Sequence, residues 1–303
     1  MKYKISILVV ITGLFGMLWS SCDKIDEPLS LVSDITTSDG FLDTLYVIDS
    51  TIVTQKQVLL EDFTGIKCPN CAEAAIVAHE WAEEDDHRLI IYGVHSGYYA
   101  DPDESGDYTA DYRCAVGDEI YNQHNITGWP AATINRVEYN GHQILTFTNG
   151  EWETVYQLEL AKESVIDMKM TNIYYPNLKI VSVIVSANFL QQLEGVFKLV
   201  VLIAEDGIVS PQKNNETSIG PSPDWLDYVH HNILRDAVNS VNGDNIPIDG
   251  TIIAGEEYIN KFDYSVNEEW LKDNTELNVI AYIYHEESKE VLQTIELTVK
   301  TEE

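Results

Sequence analysis

Between residues 56 and 162 the apolar positions fall into short continuous runs separated by helical patterns. QVLLEDF (57–63) and RLIIYGVH (88–95) each read as a short buried strand. Ala72–Glu84 consists of helix formers, with Pro69 and Asn70 ahead of it as start signals. Ala110–Asn125 and Glu151–Lys162 also have helical character. TGWPAATINRVEYN, between them, reads as a turn leading into a strand. Strands alternating with helices predict a mixed or parallel sheet with helices on its faces.

From residue 163 onward the period changes to two. Val181, Val183, Val185, Ala187 and Phe189 alternate with Ser182, Ile184, Ser186 and Asn188. Further strands are predicted at Lys198–Ala204, Ile280–Tyr284 and Glu290–Val299, with Asn-Gly (242–243) and Asp-Gly (249–250) as turn signals. That pattern predicts an antiparallel sheet or sandwich. One stretch, VHHNILRDAV (229–238), reads as helical.

Composition narrows the partners. The 303 residues carry 50 acidic against 18 basic side chains, a net charge of −32. Such a surface repels a phosphate backbone, so nucleic acid is a poor partner. The 45% of hydrophobic residues suffices for a packed core.

The N-terminus reads as an address rather than as fold. Lys2 and Lys4 precede an apolar run, Ile5–Trp19, too short to span a membrane as a helix. LWSSC follows, and its Cys22 resembles the lipid-modified cysteine of a bacterial lipoprotein, although Trp19 stands where leucine is usual. Simple secretion with cleavage nearby is the alternative. Residues 1–21 are therefore expected to be a lipoprotein signal peptide, and 22–55 an acidic, Ser/Thr-rich tether. The implied location is the outer membrane or cell surface, anchored by lipid, outside the cytoplasm, where disulfides persist.

Three cysteines remain: Cys68, Cys71 and Cys114. The first two form Cys-Pro-Asn-Cys between a predicted strand and a predicted helix. A cysteine at a helix N-terminus has its thiolate stabilised by free N–H groups and the helix dipole. Cys68 would attack a substrate disulfide, and Cys71 would resolve the mixed disulfide. An idle structural disulfide is the plain alternative. A zinc site would need Cys114 and a histidine such as His95 in addition, and no second Cys-x-x-Cys supports it. Cys114 is expected to be a buried free thiol.

VLLEDFTGIKCPNC resembles the active-site strand and turn of thioredoxin-like proteins. On that resemblance Asp62, six residues before Cys68, is the buried acid that helps to deprotonate the resolving cysteine. Trp129-Pro130 is similar to the cis-proline segment that binds extended substrate backbone. Lys67 and the bulky Trp129 depart from the pattern. An ammonium beside Cys68 would lower its pKa, and Glu61 and Glu73 would oppose that. The lipoprotein-like start, the Asp62–Cys71 segment, Gly128–Pro130 leading to Asn135-Arg136, HNILR (231–235) and a C-terminal β region together resemble the 28-kDa outer-membrane-protein-related lipoprotein family of Gram-negative anaerobes. This resemblance implies a surface or outer-membrane lipoprotein and no particular reaction.

Weaker signals lie in SGYYADPDESGDYTADY (96–112). Asp101, Asp103 and Ser105, with Gly106, match the first half of a calcium loop, but Tyr112 stands where the closing glutamate belongs. A solvated acidic loop is the plainer reading. Its tyrosines suit a binding surface. His230-His231 is expected to have a surface or packing role.

The fold expected is an α/β thioredoxin-like domain (56–162, with an acidic insertion near 96–112) followed by an all-β immunoglobulin-like sandwich (163–303). Two functions compete. In one, Cys68, Cys71 and Asp62 exchange thiols and disulfides with protein substrates held by Trp129 and Pro130, without a cofactor. In the other, a surface binding or adhesion lipoprotein uses the same fold as scaffold.

Overall fold

The computed structural model describes residues 46–247, 252–271 and 275–300. The expected signal peptide, Cys22 and most of the expected tether lie outside these residues. The first half contains strands β1 (Val47–Val53), β2 (Val58–Thr64), β3 (Leu89–His95), β4 (Ala131–Ile134) and β5 (Leu145–Thr146). Its helices are α1 (Cys71–Glu84), α2 (Ala115–Gln123) and α3 (Glu151–Leu160). The second half is β6 (Ile166–Tyr175), β7 (Ile180–Phe189), β8 (Phe197–Asp206), β9 (Ile208–Lys213), β10 (Asp224–His230), β11 (Ile233–Ala237), β12 (Asp244–Ile246), β13 (Glu257–Ser265), β14 (Glu276–His285) and β15 (Val291–Thr298).

β2 and β3 are buried along their whole length, as continuous apolar runs require. They pair in parallel, and β4 joins β2 antiparallel. β11 then lies parallel to β3 through Ile233 opposite Gly93, and β8, β14 and β15 follow. One sheet, in the order β15-β14-β8-β11-β3-β2-β4-β5 with β12 on β8, therefore runs through both halves of the chain. A second sheet, β1-β6-β7-β13, is antiparallel throughout. Its inward residues Met168, Met170, Val183 and Val185 pack on Leu199, Val201, Val279, Ala281 and Ile295 of the first. The chain is thus mostly β-sheet.

Three local readings are corrected. Val47–Val53, within the stretch expected to be tether, pairs residue by residue with β6. VHHNILRDAV is not a helix: β10 ends at His230, and Asn232 turns the chain at φ 43° into β11. Long-range bonds hold that turn. The Asn232 N–H donates to Asp206, its side chain donates to the Ile91 carbonyl, and its own carbonyl accepts from Gly93 N–H. Finally, helix α1 begins at Cys71 with Asn70 as N-cap. Cys68 and Pro69 therefore belong to the turn before it and not to its first turn.

Candidate functional site

Successive side chains of a strand point to opposite faces, so the neighbours Glu61 and Asp62 of β2 enter different environments. Glu61 is fully buried and meets Arg136, itself 4% exposed. The guanidinium donates from Nε at 2.7 Å and Nη2 at 2.6 Å to the two carboxylate oxygens. Tyr92 and Thr133 hydroxyls donate to the same carboxylate. Burial pushes the Glu61 carboxyl up, but Arg136 outweighs it and holds the group down at about 2. Arg136 also donates to Tyr282 Oη (2.9 Å) and stacks over the Tyr282 ring. Its neighbour Asn135 accepts from Leu59 N–H and donates to Glu159. Asn135-Arg136 thus ties β2 to α3 and β14.

Asp62, on the other face, has no such partner. It is buried, and its Oδ1 makes no hydrogen bond. Burial pushes its carboxyl up to about 7. It lines a cavity of about 30 Å³ together with Cys71, His79, His95, Gln212 and His230. That space suits one or two water molecules. Ala72, Ala75 and His79 bring α1 to this cavity at spacings of three and four, one helix face.

Cys68 and Cys71 form a disulfide. Neither sulfur-bearing residue is open to solvent: Cys68 is 0% and Cys71 2% exposed. The turn that carries them is covered from the far half of the chain. Gln212 Nε2 donates to the Cys68 carbonyl at 2.9 Å, Lys213 N–H to the Ile66 carbonyl and Asn215 N–H to the Pro69 carbonyl. On the other side Lys67 N–H donates to the Tyr99 carbonyl, and the Lys67 ammonium turns to Asp103 at 2.9 Å. The ammonium expected beside the Cys68 sulfur is therefore engaged by the acidic loop. A Cβ at Gly65 would come within 2.4 Å of the Tyr99 backbone. Gly65→Ala is accordingly expected to destabilise the protein by roughly 1–3 kcal/mol through overpacking and to loosen the 97–100 segment. Urea unfolding together with limited proteolysis of that segment checks it, and an unchanged midpoint and cleavage pattern would refute it.

The Trp129-Pro130 peptide is cis. Pro130 is buried directly before β4, whose Ala131 pairs with Phe63. Trp129 stacks on Tyr121 (centroids 6.3 Å apart) and meets Tyr99 edge-on at 5.5 Å. Tyr99 thus stands between Trp129 and the cysteine turn.

The loop 96–112 is bound to its own cations. Asp103 pairs with Lys67, and Asp101 and Asp111 pair with Arg113. Asp101, Asp103 and Ser105 do not gather as calcium ligands, and among the described residues no His, Cys, Asp or Glu group could hold a metal ion. Tyr108 and Tyr112 point inward onto Ile66 and Ile233, so the tyrosine-rich binding surface shrinks to exposed Tyr98 and half-buried Tyr99. Cys114 is the N-cap of α2, its sulfur accepting from Gly117 N–H at 3.2 Å. It packs with Leu234 and Ile120, apart from the other cysteines, and burial pushes its thiol pKa up. The four-ligand zinc set therefore does not assemble.

His230 takes the packing role of the two expected, being buried. Its ring lies 5.8 Å from that of His95 and 4.8 Å from that of Tyr228, and burial lowers its pKa to about 4. His231 is half-exposed and bonded to Asp206 at 3.0 Å. His79 and Gln212 carried no signal in the sequence; Arg136 stood out only through the family resemblance and Glu61 only as a charge near Cys68, and their bond to each other had no local sign.

Two solved structures align with parts of this chain. A crystal structure of an Agrobacterium tumefaciens protein aligns with 81% of this chain and 96% of its own, at 11% identity and a TM-score of 0.46. A domain of the outer membrane lipoprotein Omp28 from Porphyromonas gingivalis aligns with 44% of this chain and 87% of its own, at 15% identity and a TM-score of 0.28. With TM-scores below 0.5, neither defines the fold here. No curated protein matches the chain. The sequence model of outer membrane protein Omp28 matches residues 117–303, which include the cis Trp129-Pro130 bond, Asn135-Arg136 and the Asn232 turn. That match spans well over half of the sequence, and the chain belongs to the Omp28 outer membrane protein family.

Proposed function

We propose that this protein is a lipid-anchored, extracytoplasmic lipoprotein with a thioredoxin-like first half that carries a covered thiol–disulfide exchange site. One observation carries the reading: the buried, unpartnered Asp62 carboxyl shares a cavity with Cys71. A buried carboxyl without a hydrogen-bond partner is costly. A pKa near 7 suits a group that takes a proton from a resolving thiol and gives it up again. Cys68 is the nucleophile, Cys71 the resolving thiol, and Trp129 and Pro130 flank the substrate path. Exchange requires the 212–215 segment to lift from the cysteine turn, since its hydrogen bonds to residues 65–70 close the site.

The complete burial of Cys68 favours a second reading. In it the disulfide is a staple, the second half is an immunoglobulin-like sandwich, and the protein serves as a surface binding or adhesion lipoprotein. Exposed Val209, Leu226 and Val229 on the β9–β10 hairpin would then supply apolar contact area.

The reduction potential separates the two. The full-length protein in detergent is equilibrated with glutathione buffers, its free thiols are alkylated, and the fraction reduced is read by mass spectrometry. A potential between about −120 and −270 mV is expected for an exchange catalyst. A value below about −300 mV marks a structural staple and discards the first reading. In the first reading Cys71→Ser accumulates mixed disulfides with protein substrates, and Cys68→Ser does not.

A further inference from the structure

The small cavity holding Asp62 and Cys71 is not the largest space nearby. An open cleft of about 460 Å³ lies on its other side, lined by Gln57, His79, Asp86, Ile91, Asn232 and Glu296. Two residues line both spaces, Ile91 and His79. Ile91 has no proton to give or take. His79 is therefore the polar group in the wall between the buried acid and the cleft. We propose that His79 is the proton-transfer residue through which Asp62 exchanges protons with solvent, in at the cavity and out at the cleft.

The proposal rests on the thiol–disulfide reading and supplies a step that reading lacks. In the resolving step the Cys71 thiol gives its proton to the Asp62 carboxylate. The Cys71 thiolate then attacks the Cys68–substrate disulfide. The Cys68–Cys71 bond forms, the substrate sulfur leaves as thiolate, and two electrons have passed from the protein dithiol to the substrate disulfide. Asp62 is left protonated beneath a closed turn, while the leaving thiolate takes a proton from solvent. An Asp62 that is protonated when Cys71 is ready to resolve must first release that proton to become the acceptor. An imidazole serves here by accepting on one ring nitrogen and releasing from the other.

The surroundings fit a neutral relay. His79 is half-buried, and desolvation, with the neighbouring His231 adding to it, lowers its pKa to about 4, so no stable cation blocks the route at neutral pH. Its ring lies 4.8 Å from that of His231, which Asp206 holds by its Nδ1. The inner cavity that it lines also holds Asp62, His95, His230 and His231. On the outer side it faces Asp86, His87 and Glu296. Burial holds the Glu296 carboxyl at about 7, matched to Asp62 at the other end.

His79→Gln keeps a polar side chain of similar reach but cannot pass a proton from one atom to another. The reduced full-length protein, held at pH 5 so that Asp62 is protonated, is jumped to pH 7 with hydroxyethyl disulfide and quenched by alkylation, so that Asp62 must release its proton before Cys71 can resolve. The variant is expected to oxidise at least about tenfold more slowly at pH 7, with an unchanged reduction potential and with most of the rate restored by added imidazole, which the cleft admits. An unchanged rate, or a slow rate that imidazole does not restore, overturns the proposal. A wild-type potential below about −300 mV removes the exchange reading instead. The proton route is then decided by the ¹³C carboxyl signal of Asp62 titrated across pH 7. Slower proton exchange in His79→Gln than in the wild type supports the route, and identical line shapes overturn it.

Discussion

Replacing Arg136 with methionine is expected to lower the stability of the protein by roughly 3–5 kcal/mol, the usual cost of breaking a buried ion pair by removing one partner. Glu61 has no exposed surface, and both of its oxygens are bonded to the Arg136 guanidinium. Without Arg136 the carboxylate either stays charged in an apolar interior or takes up a proton. Both outcomes are costly at neutral pH. Tyr282 also loses the donor to its hydroxyl and the cation over its ring. The double variant Glu61→Gln/Arg136→Met should recover part of the loss, since it removes the orphaned charge. The pH dependence has a definite sign. The Glu61 carboxyl is held at about 2 against an ordinary 4.5. Its contribution is therefore full above pH 4.5 and is lost as the pH falls towards 2. Urea midpoints of the three proteins at pH 7 and pH 3.5 test this. A loss of under about 1 kcal/mol for Arg136→Met, or no recovery in the double variant, would show that the pair does not hold the two halves of the sheet.

Asp62→Asn should act in the opposite direction. The Asp62 carboxyl is raised from 3.8 to about 7 by burial. A raised acid contributes stability that is complete below its unfolded pKa and is lost as the pH rises through the folded one. The window here runs from about pH 4 to about pH 7. At roughly 1.36 kcal/mol per pKa unit, a shift of this size corresponds to about 4 kcal/mol as an upper figure. Asparagine carries no charge at any of these pH values, though its amide is left as poorly bonded as the acid. The variant is expected to be about 2–4 kcal/mol more stable than the wild type at pH 8 and within about 1 kcal/mol of it at pH 4. Glu296, raised in the same way to about 7, keeps part of the slope in both proteins. Equal stability differences at pH 4 and pH 8 would show that Asp62 is solvated, and would remove the argument that its burial serves chemistry. In the exchange reading the same variant oxidises slowly, so a stabilised but sluggish protein is the signature of a functional acid.

The adjacent positions 61 and 62 show how far sequence reading extends. The apolar run of β2 and its place before Cys-Pro-Asn-Cys were legible, and so was the resemblance that singled out Asp62. Nothing local told that Glu61, one residue earlier, is the better-bonded of the two acids. Its partner lies 75 residues away. The stretch 229–238 shows the same limit from the other side. Its composition suits a helix, yet the bonds from Asn232 to Asp206, Ile91 and Gly93 outweigh that preference. Local propensity amounts to tenths of a kcal/mol per residue, and a set of buried hydrogen bonds to far more.

By itself the sequence determined the alternation of strands and helices in the first half, the period-two strands of the second, the Cys-x-x-Cys spacing, and the net acidity. Each of these follows from residue type and short spacing, which act within one element. The tertiary structure alone decided that both halves share one sheet, that Val47–Val53 belongs to the second, and that Gln212 closes over Cys68 from 144 residues away. It also decided that His79 divides the buried acid from an open cleft. Burial and long-range pairing set these features, and neither has a period that a linear pattern can carry.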